Sequence, residues 1–183
     1  MNWIEAIKNY EPCCYQEVSD KEIMIKFADE FDDVLTRNNK VAHMTSSAFV
    51  VNKKRDKVLM VHHNIYNAWS WTGGHADGDE DLLCVAMKEL NEETGIRNFS
   101  SLSDSIVSLD IIPVYGHIKN GKYVSPHLHF NAAFLFEADE HEELIVKADE
   151  NSGVTWIPSF EIDSYSNEKH MINIYFKILS KLK

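Results

Sequence analysis

GGHADGDEDLLCVAMKELNEETGI, residues Gly73 to Ile96, is the stretch from which the rest of the chain can be read. On a helix Glu89, Glu92 and Glu93 stand at i, i+3 and i+4, so three carboxylates share one surface. Each like-charged pair at that spacing costs an isolated helix about 0.2–0.5 kcal/mol, so the arrangement asks for a compensating cation. Mg²⁺ or Mn²⁺ fits best, because hard divalent ions prefer oxygen and are held by a few carboxylates together with water and substrate phosphates. Leu83, Ala86, Met87 and Leu90 form an apolar stripe expected to bury against a sheet while the glutamates look away from it. Asp77, Asp79, Glu80 and Asp81 crowd the helix start, where the dipole favours negative charge, and Gly95 sits where a left-handed cap is wanted. Gly73 and Gly74 allow a tight bend and close approach to a ligand.

Upstream, Met1 to Thr36 reads as two helical pieces interrupted at Pro12. Ser19-Asp20-Lys21-Glu22 is taken as a capping box opening the second piece, with Ile23, Met24, Phe27, Ala28, Phe31, Val34 and Leu35 as its broad apolar face. Met44 to Asn52 and Lys57 to His63 read as a hairpin around Lys53-Lys54-Arg55-Asp56. Asn64 to Thr72 is expected to be a loop, whose Trp69 and Trp71 are candidates to stack on a base. Downstream, Ser105 to Lys119 and Lys122 to Glu137 flank the strong turn signal Asn120-Gly121. In the second of these runs Leu128, Phe130, Ala132, Phe134 and Phe136 share one face, and His127, His129 and Asn131 the other. That histidine face reads as cleft lining, as a metal site or as a solvated surface. The nitrogen ligands suit zinc better than magnesium. His75 is the histidine nearest the glycine pair. Val154 to Ile157 is a short strand preceded by a loop carrying Glu150, and a final amphipathic helix runs from Asn167 or Glu168 to Leu182.

At 183 residues the chain is long enough for one domain with a sizeable core. A net charge of −11 disfavours long nucleic acid as a partner, since phosphate backbones are bound through clustered lysine and arginine. It leaves open a small nucleotide carried with its metal. Cys13, Cys14 and Cys84 show no zinc or disulfide spacing and are read as reduced structural residues. There is neither a signal-peptide pattern at the start nor an apolar run of membrane-spanning length, so a cytoplasmic location without a membrane partner is expected.

Gly74 is followed by five residues and Glu80, then by seven residues and Lys88-Glu89-Leu90-Asn91-Glu92-Glu93-Thr94-Gly95-Ile96. This spelling resembles the Nudix box, G-x5-E-x7-R-E-U-x-E-E-x-G-U with U aliphatic. Lys88 alone departs from the pattern, standing where the family has arginine. Lysine keeps the charge and loses arginine's planar fork. The resemblance implies an α/β fold, a Nudix-type α/β/α sandwich around a mixed sheet over 41–183, with residues 1–40 as an N-terminal helical extension. It further implies Mg²⁺ or Mn²⁺ held by Glu89, Glu92 and Glu93, and hydrolysis of a pyrophosphate bond in a nucleoside diphosphate linked to another moiety or in a related small pyrophosphate. Either Glu93 or Glu150, the latter placed like the family's extra glutamate outside the box, would take the proton. Lys88 would pair with a neighbouring glutamate, and Gly73, Gly74, His75, Trp69, Trp71, His127 and His129 would meet the substrate. Related enzymes are often dimers, so a homodimer is also implied. The alternative is a nucleotide-binding or regulatory domain that does not hydrolyse; loss of box glutamates would favour it, and all of them are present.

Overall fold

The computed structural model describes residues 2–182 except Tyr66 and Asn120. Its centre is a pair of long parallel strands, β1 (Ala42–Asn52) and β9 (His127–Ala138), in register from Ala42 opposite Leu128 to Asn52 opposite Ala138. β1 is buried along its whole length. Around this pair an eight-stranded mixed sheet is built. β2 (Lys57–His63) lies antiparallel to β1 and pairs in turn with β3 (Ala68–Ser70) and β10 (Asn151–Pro158). β4 (Thr72–His75) lies antiparallel to the first half of β1, while β5 (Phe99–Ser101) and β6 (Ser108–Val114) flank β9. A separate two-stranded ribbon joins β7 (His117–Lys119) to β8 (Lys122–Val124).

Helices cover both faces, because alternate residues of the central strands point into different cores. Met44, Ala48 and Val50 of β1, with Phe130, Ala132, Phe134 and Phe136 of β9, pack beneath α3 (Leu82–Thr94). Ile7 of α1 (Trp3–Asn9) and Met24 of α2 (Tyr15–Glu30) join the same core. On the opposite face Phe49, Val51, Ala133 and Leu135 meet Met171, Ile174, Tyr175 and Ile178 of α5 (Lys169–Ser180). The short α4 (Ile162–Tyr165) adds Ile162. The α/β/α sandwich with a mixed sheet is therefore the architecture.

Several local expectations change. α2 begins at Tyr15, so Ser19 to Glu22 lies inside the helix, not at its cap. The start is set instead by Glu17, whose Oε2 accepts the Cys13 N–H at 2.8 Å. α2 ends at Glu30, leaving Val34 and Leu35 beyond it, and Ile23 and Phe31 are exposed, so its apolar face is narrower than expected. The stretch 64–72 is not all loop, since β3 lies within it and β4 starts at its end. The expected long hairpin is broken into β6–β7 and β8–β9. Tyr115-Gly116 and Ser125-Pro126 interrupt it, and proline lacks a ladder donor. Asn120 of its turn lies outside the described residues; Gly121 has a φ of 74°. The buried face of α3 is rotated from the expected stripe. Leu82, Val85, Ala86 and Leu90 are buried while Met87 is exposed, and Glu93 is buried with them instead of facing away. All three cysteines are free and exposed, and none serves the core. Among the described residues no helix is long and apolar enough to cross a membrane.

The N-terminal helices are locked to the sheet by charge as well as packing. Glu17 is fully buried and its Oε1 lies 2.9 Å from Lys177 Nζ and 3.3 Å from Lys181 Nζ. Burial pushes its carboxyl up, but the Cys13 N–H and the Lys177 and Tyr10 donors outweigh that and hold it at about 2. Asp110, 2.6 Å from the same Lys177, is pushed up by burial, with Lys177 and the Ser108 hydroxyl partly offsetting. Because the folded value lies below the ordinary 4.5, the stabilisation is present above that pH and fades as pH falls towards about 2. Among the described residues, Glu17→Gln leaves Lys177 with Asp110 as its one anionic partner and Lys181 with neutral acceptors alone, and should cost about 3 kcal/mol. Thermal melts at neutral pH should show a Tm lower by roughly 6–12 °C. The variant should also lose less additional stability than the wild type between pH 4.5 and 2; parallel acid limbs would reject this role for Glu17.

Candidate active site

The glutamate helix is pinned at both ends. The Asp81 carboxylate accepts the Cys84 N–H at 3.1 Å, the Ser46 hydroxyl of β1 donates to the Leu82 carbonyl at 2.6 Å, and Gly95 caps the far end with a φ of 77°. β4 lies beside β1 in the sheet on which this helix packs, with Gly73 opposite Ser47 and Gly74 opposite Ser46. There is no room for side chains at either glycine. A Cβ on Gly73 would stand 2.8 Å from the Ser46 carbonyl oxygen, and one on Gly74 would stand 2.3 Å from Glu89 Oε1.

That closeness is what orients the carboxylates. Glu93 is buried, its Oε1 accepting the Gly73 N–H at 2.8 Å and its Oε2 accepting Asn151 Nδ2 at 2.8 Å. Burial pushes its carboxyl up to about 7 despite these donors, with Glu89 and Glu150 adding to the rise. Glu89 is half-buried and also pushed up, first by burial and then by Glu92, with Lys147 partly offsetting. Glu89, Glu93 and Glu150 line one cleft of about 270 Å³ together with Gly73, Gly74 and Lys147. Lys147 Nζ lies 2.9 Å from Glu150 Oε2 and 3.6 Å from Glu92 Oε2. It is a cation lodged between the carboxylates of α3 and the loop before β10. The donor set is all carboxylate oxygen, which suits a hard divalent ion, and two of its members are held above their ordinary range by burial and mutual repulsion. The donor chemistry of Glu89, Glu93 and Glu150, with Glu92 beside them through Lys147, therefore suits magnesium or manganese.

Lys88 lies outside the cleft. Its side chain is 69% exposed and its Nζ stands 3.9 Å from Glu92 Oε1, a solvated contact worth little. Glu80 is exposed and accepts Asn2 Nδ2 at 3.0 Å. Trp71 lines the cleft but is buried, edge-on to Tyr175 in the second core. Trp69 packs edge-on to His62 and is not part of the cleft lining. His75 and His129 line the same cleft and are shared with a second cavity lined also by His43 and His127. Burial, then neighbouring positive groups, push His75 down to about 3 and His129 down to about 2, so both rings are neutral.

Other contributors carried no signal in the sequence. Asn131 was placed on the histidine face, but its setting depends on β1 and β9 being parallel neighbours. Its Oδ1 accepts the Thr45 and Ser47 hydroxyls at 2.9 and 2.8 Å, and its buried Nδ2 has no partner among the described residues. Asn151 and Lys147 reach the glutamates only because β10 is threaded beside β2. His43 stands outside every motif and comes to the site solely through the register of β1 with β9.

The profile of the NUDIX domain matches residues 42–178. Over 100 residues the chain is 29% identical to a Lactococcus lactis subsp. cremoris protein described as "Probable DHNTP pyrophosphohydrolase". That alignment covers 54% of this chain and 56% of the relative, so the chain spans little more than half the length of the protein it matches. Among solved structures, a C. elegans Ap4A hydrolase superposes with a TM-score of 0.57 at 15% identity, covering 76% of this chain and 96% of that one. The E. coli dihydroneopterin triphosphate pyrophosphohydrolase gives 0.57 at 12% identity, covering 75% and 95%. At these identities the two structures attest the fold.

Substitution of the glycines separates packing from function. Gly73→Ala drives a Cβ against backbone and should destabilise by about 1–3 kcal/mol. Gly74→Ala meets the Glu89 side chain, which can swing away, so it should melt closer to the wild type yet bind Mn²⁺ more weakly by electron paramagnetic resonance titration. Wild-type Mn²⁺ affinity in Gly74→Ala would show that Glu89 is not held for a metal.

Proposed function

The chain belongs to the NUDIX domain family, and on that premise we propose that it is a divalent-metal-dependent pyrophosphohydrolase acting on a small nucleotide or related triphosphate. The observation that carries this reading is the convergence of Glu89, Glu93 and Glu150 on one cleft, with Lys147 lodged between Glu92 and Glu150. Pterin triphosphates and dinucleoside polyphosphates are the first substrates to try, because similar proteins are described as acting on dihydroneopterin triphosphate and on Ap4A.

In this reading Glu89, Glu92, Glu93 and Glu150 hold Mg²⁺ or Mn²⁺. When bound, the ion supplies neutralisation of phosphate charge and a more acidic water. The chain's own groups do the rest. Glu93, fixed by Gly73 and Asn151, keeps its carboxylate in one orientation. Glu150 takes the proton of the attacking water: its Oε1 lies outside the Lys147 pair, whereas both oxygens of Glu93 already accept hydrogen bonds. The Lys147 ammonium, once displaced from the carboxylates, is placed to meet a phosphate oxygen. Asn131 Nδ2 offers a donor in the cleft that a substrate acceptor satisfies. The buried Trp71 is a wall and not a free stacking platform, and Lys88 acts through its weak contact with Glu92.

Phosphate or pyrophosphate release from a panel of nucleoside triphosphates, dihydroneopterin triphosphate, diadenosine polyphosphates and nucleotide sugars should require Mg²⁺ or Mn²⁺ and stop with chelator. Glu92→Gln, Glu93→Gln and Glu150→Gln should each lower turnover by about 100-fold or more. Lys88→Arg should leave turnover within about threefold, consistent with an exposed pair. Tight binding of a triphosphate without turnover across the panel would favour the non-hydrolysing alternative.

A further inference from the structure

Four histidines from three strands meet beside the acidic cleft, and none of the chemistry above uses them as ligands. His43 comes from β1, His75 from β4, and His127 and His129 from β9. One ring nitrogen from each of His43, His75 and His129 lies within 4.8 Å of the other two. His127 Nε2 stands 3.2 Å from His129 Nε2, and the His43 ring stacks on that of His127 with centroids 4.8 Å apart.

The hydrogen bonds fix which atoms face inward. His43 Nδ1 lies 3.0 Å from the Asn39 carbonyl oxygen and His127 Nδ1 lies 2.8 Å from the Ser125 carbonyl oxygen. A carbonyl only accepts, so each Nδ1 carries the proton and each Nε2 of the neutral ring is an acceptor, that of His127 taking a hydrogen bond from His129 Nε2 at 3.2 Å. For His43 that acceptor is buried and has no partner among the described residues. An anion cannot satisfy it; a cation or a donor can. Histidine held by a carbonyl at one nitrogen with the other facing inward is the usual disposition of a metal-ligating imidazole. Nitrogen ligands of a tetrahedral ion stand roughly 3.3 Å apart when each bond is about 2.0–2.1 Å. The His127–His129 separation already meets that value, and the other ring nitrogens, within 4.8 Å of one another, need to close by up to about 1.5 Å.

From this geometry we infer that His43, His75 and His129, with His127 as fourth donor, form a second metal site of the zinc class, separate from the carboxylate site. No carboxylate belongs to the trio, so the set discriminates against magnesium. Arg37, Lys40 and Lys119 line the same cavity; Arg37 Nε donates to Asp77 Oδ1 at 2.8 Å, so that its charge is taken up there, and Lys40 Nζ donates to the Arg37 carbonyl at 2.6 Å. Burial keeps the rings neutral, as ligation requires. By contrast, the other group with ligand spacing, Cys13, Cys14 and Glu17, has its carboxylate already occupied by Lys177 and Lys181. Because His75 and His129 also line the acidic cleft, an ion here would rigidify the substrate wall and leave any open coordination position near the substrate.

The test is equilibrium dialysis of the full chain against micromolar zinc in millimolar magnesium, with bound metal counted by mass spectrometry. One zinc per chain is expected. It should be retained in Glu92→Gln and weakened at least about 100-fold in His43→Gln and His129→Gln, with circular dichroism confirming folding. Should the buried His43 variant fail to fold, the less buried His75→Gln and His127→Gln serve the same purpose. Cobalt in place of zinc should give the intense visible bands of a tetrahedral nitrogen site. The inference is overturned by no bound zinc, by zinc that survives the histidine substitutions, or by zinc lost in Glu92→Gln with the histidines intact. These outcomes do not depend on whether the chain hydrolyses pyrophosphate.

Discussion

The site depends on a carboxylate buried under a two-glycine strand. Glu93 is on the inner side of its helix, and water cannot stabilise it there, so its two oxygens are satisfied by the Gly73 amide and the Asn151 amide. The Gly73 amide reaches it because β4 runs beside both β1 and α3, where a Cβ would meet the Ser46 carbonyl, and the Asn151 amide because β10 is threaded beside β2. The rest of the acidic cluster follows. With Glu93 fixed, Glu89 and Glu92 are fixed one turn and one residue earlier, and Glu150 is brought in by β10 through its neighbour Asn151. Like charges held this way remain in place through the stability of the surrounding sandwich. A bound cation returns part of that cost, and Lys147 shows how a cation is accommodated when it comes from the chain itself.

Reading the sequence gave access to the features that depend on local spacing. The α3 boundaries, the left-handed cap at Gly95, the first hairpin, the alternation of β9 and the last helix are all governed by contacts within a few residues. The glutamate spacing and the glycines gave the family for the same reason. What escaped was set by contacts between distant segments. The rotation of α3 that buries Val85 and Glu93 while exposing Met87 is decided by how the helix sits on β1 and β4, where the Ser46 hydroxyl grips the Leu82 carbonyl. The early start of α2 comes from Glu17, an acid drawn into the interior by lysines from a helix 160 residues later. Composition makes such a glutamate look like one more solvated charge.

The two halves of the cleft divide in the same way. The acidic half is written almost entirely in one segment, and so was legible. The histidine half draws on β1, β4 and β9, and its key member, His43, carries no motif; only the parallel pairing of β1 with β9 sets it beside His127 and His129. Asn131 belongs to the same class, since its orientation is fixed by Thr45 and Ser47 across that pairing. The carboxylates and the histidines thus line adjoining cavities that share His75 and His129, and the two proposed sites differ in ligand type, oxygen in one and nitrogen in the other.

The carboxylates beside the glycine strand are proposed as a divalent-cation site, with the Lys147 ammonium standing between Glu92 and Glu150. Anomalous diffraction from crystals grown with Mn²⁺ and a non-hydrolysable triphosphate tests it directly. The account predicts manganese among Glu89, Glu92, Glu93 and Glu150, with the Lys147 ammonium moved off Glu92 and Glu150 and onto phosphate. Lys147 still paired with both glutamates, and manganese absent from them at saturating concentration, would contradict it.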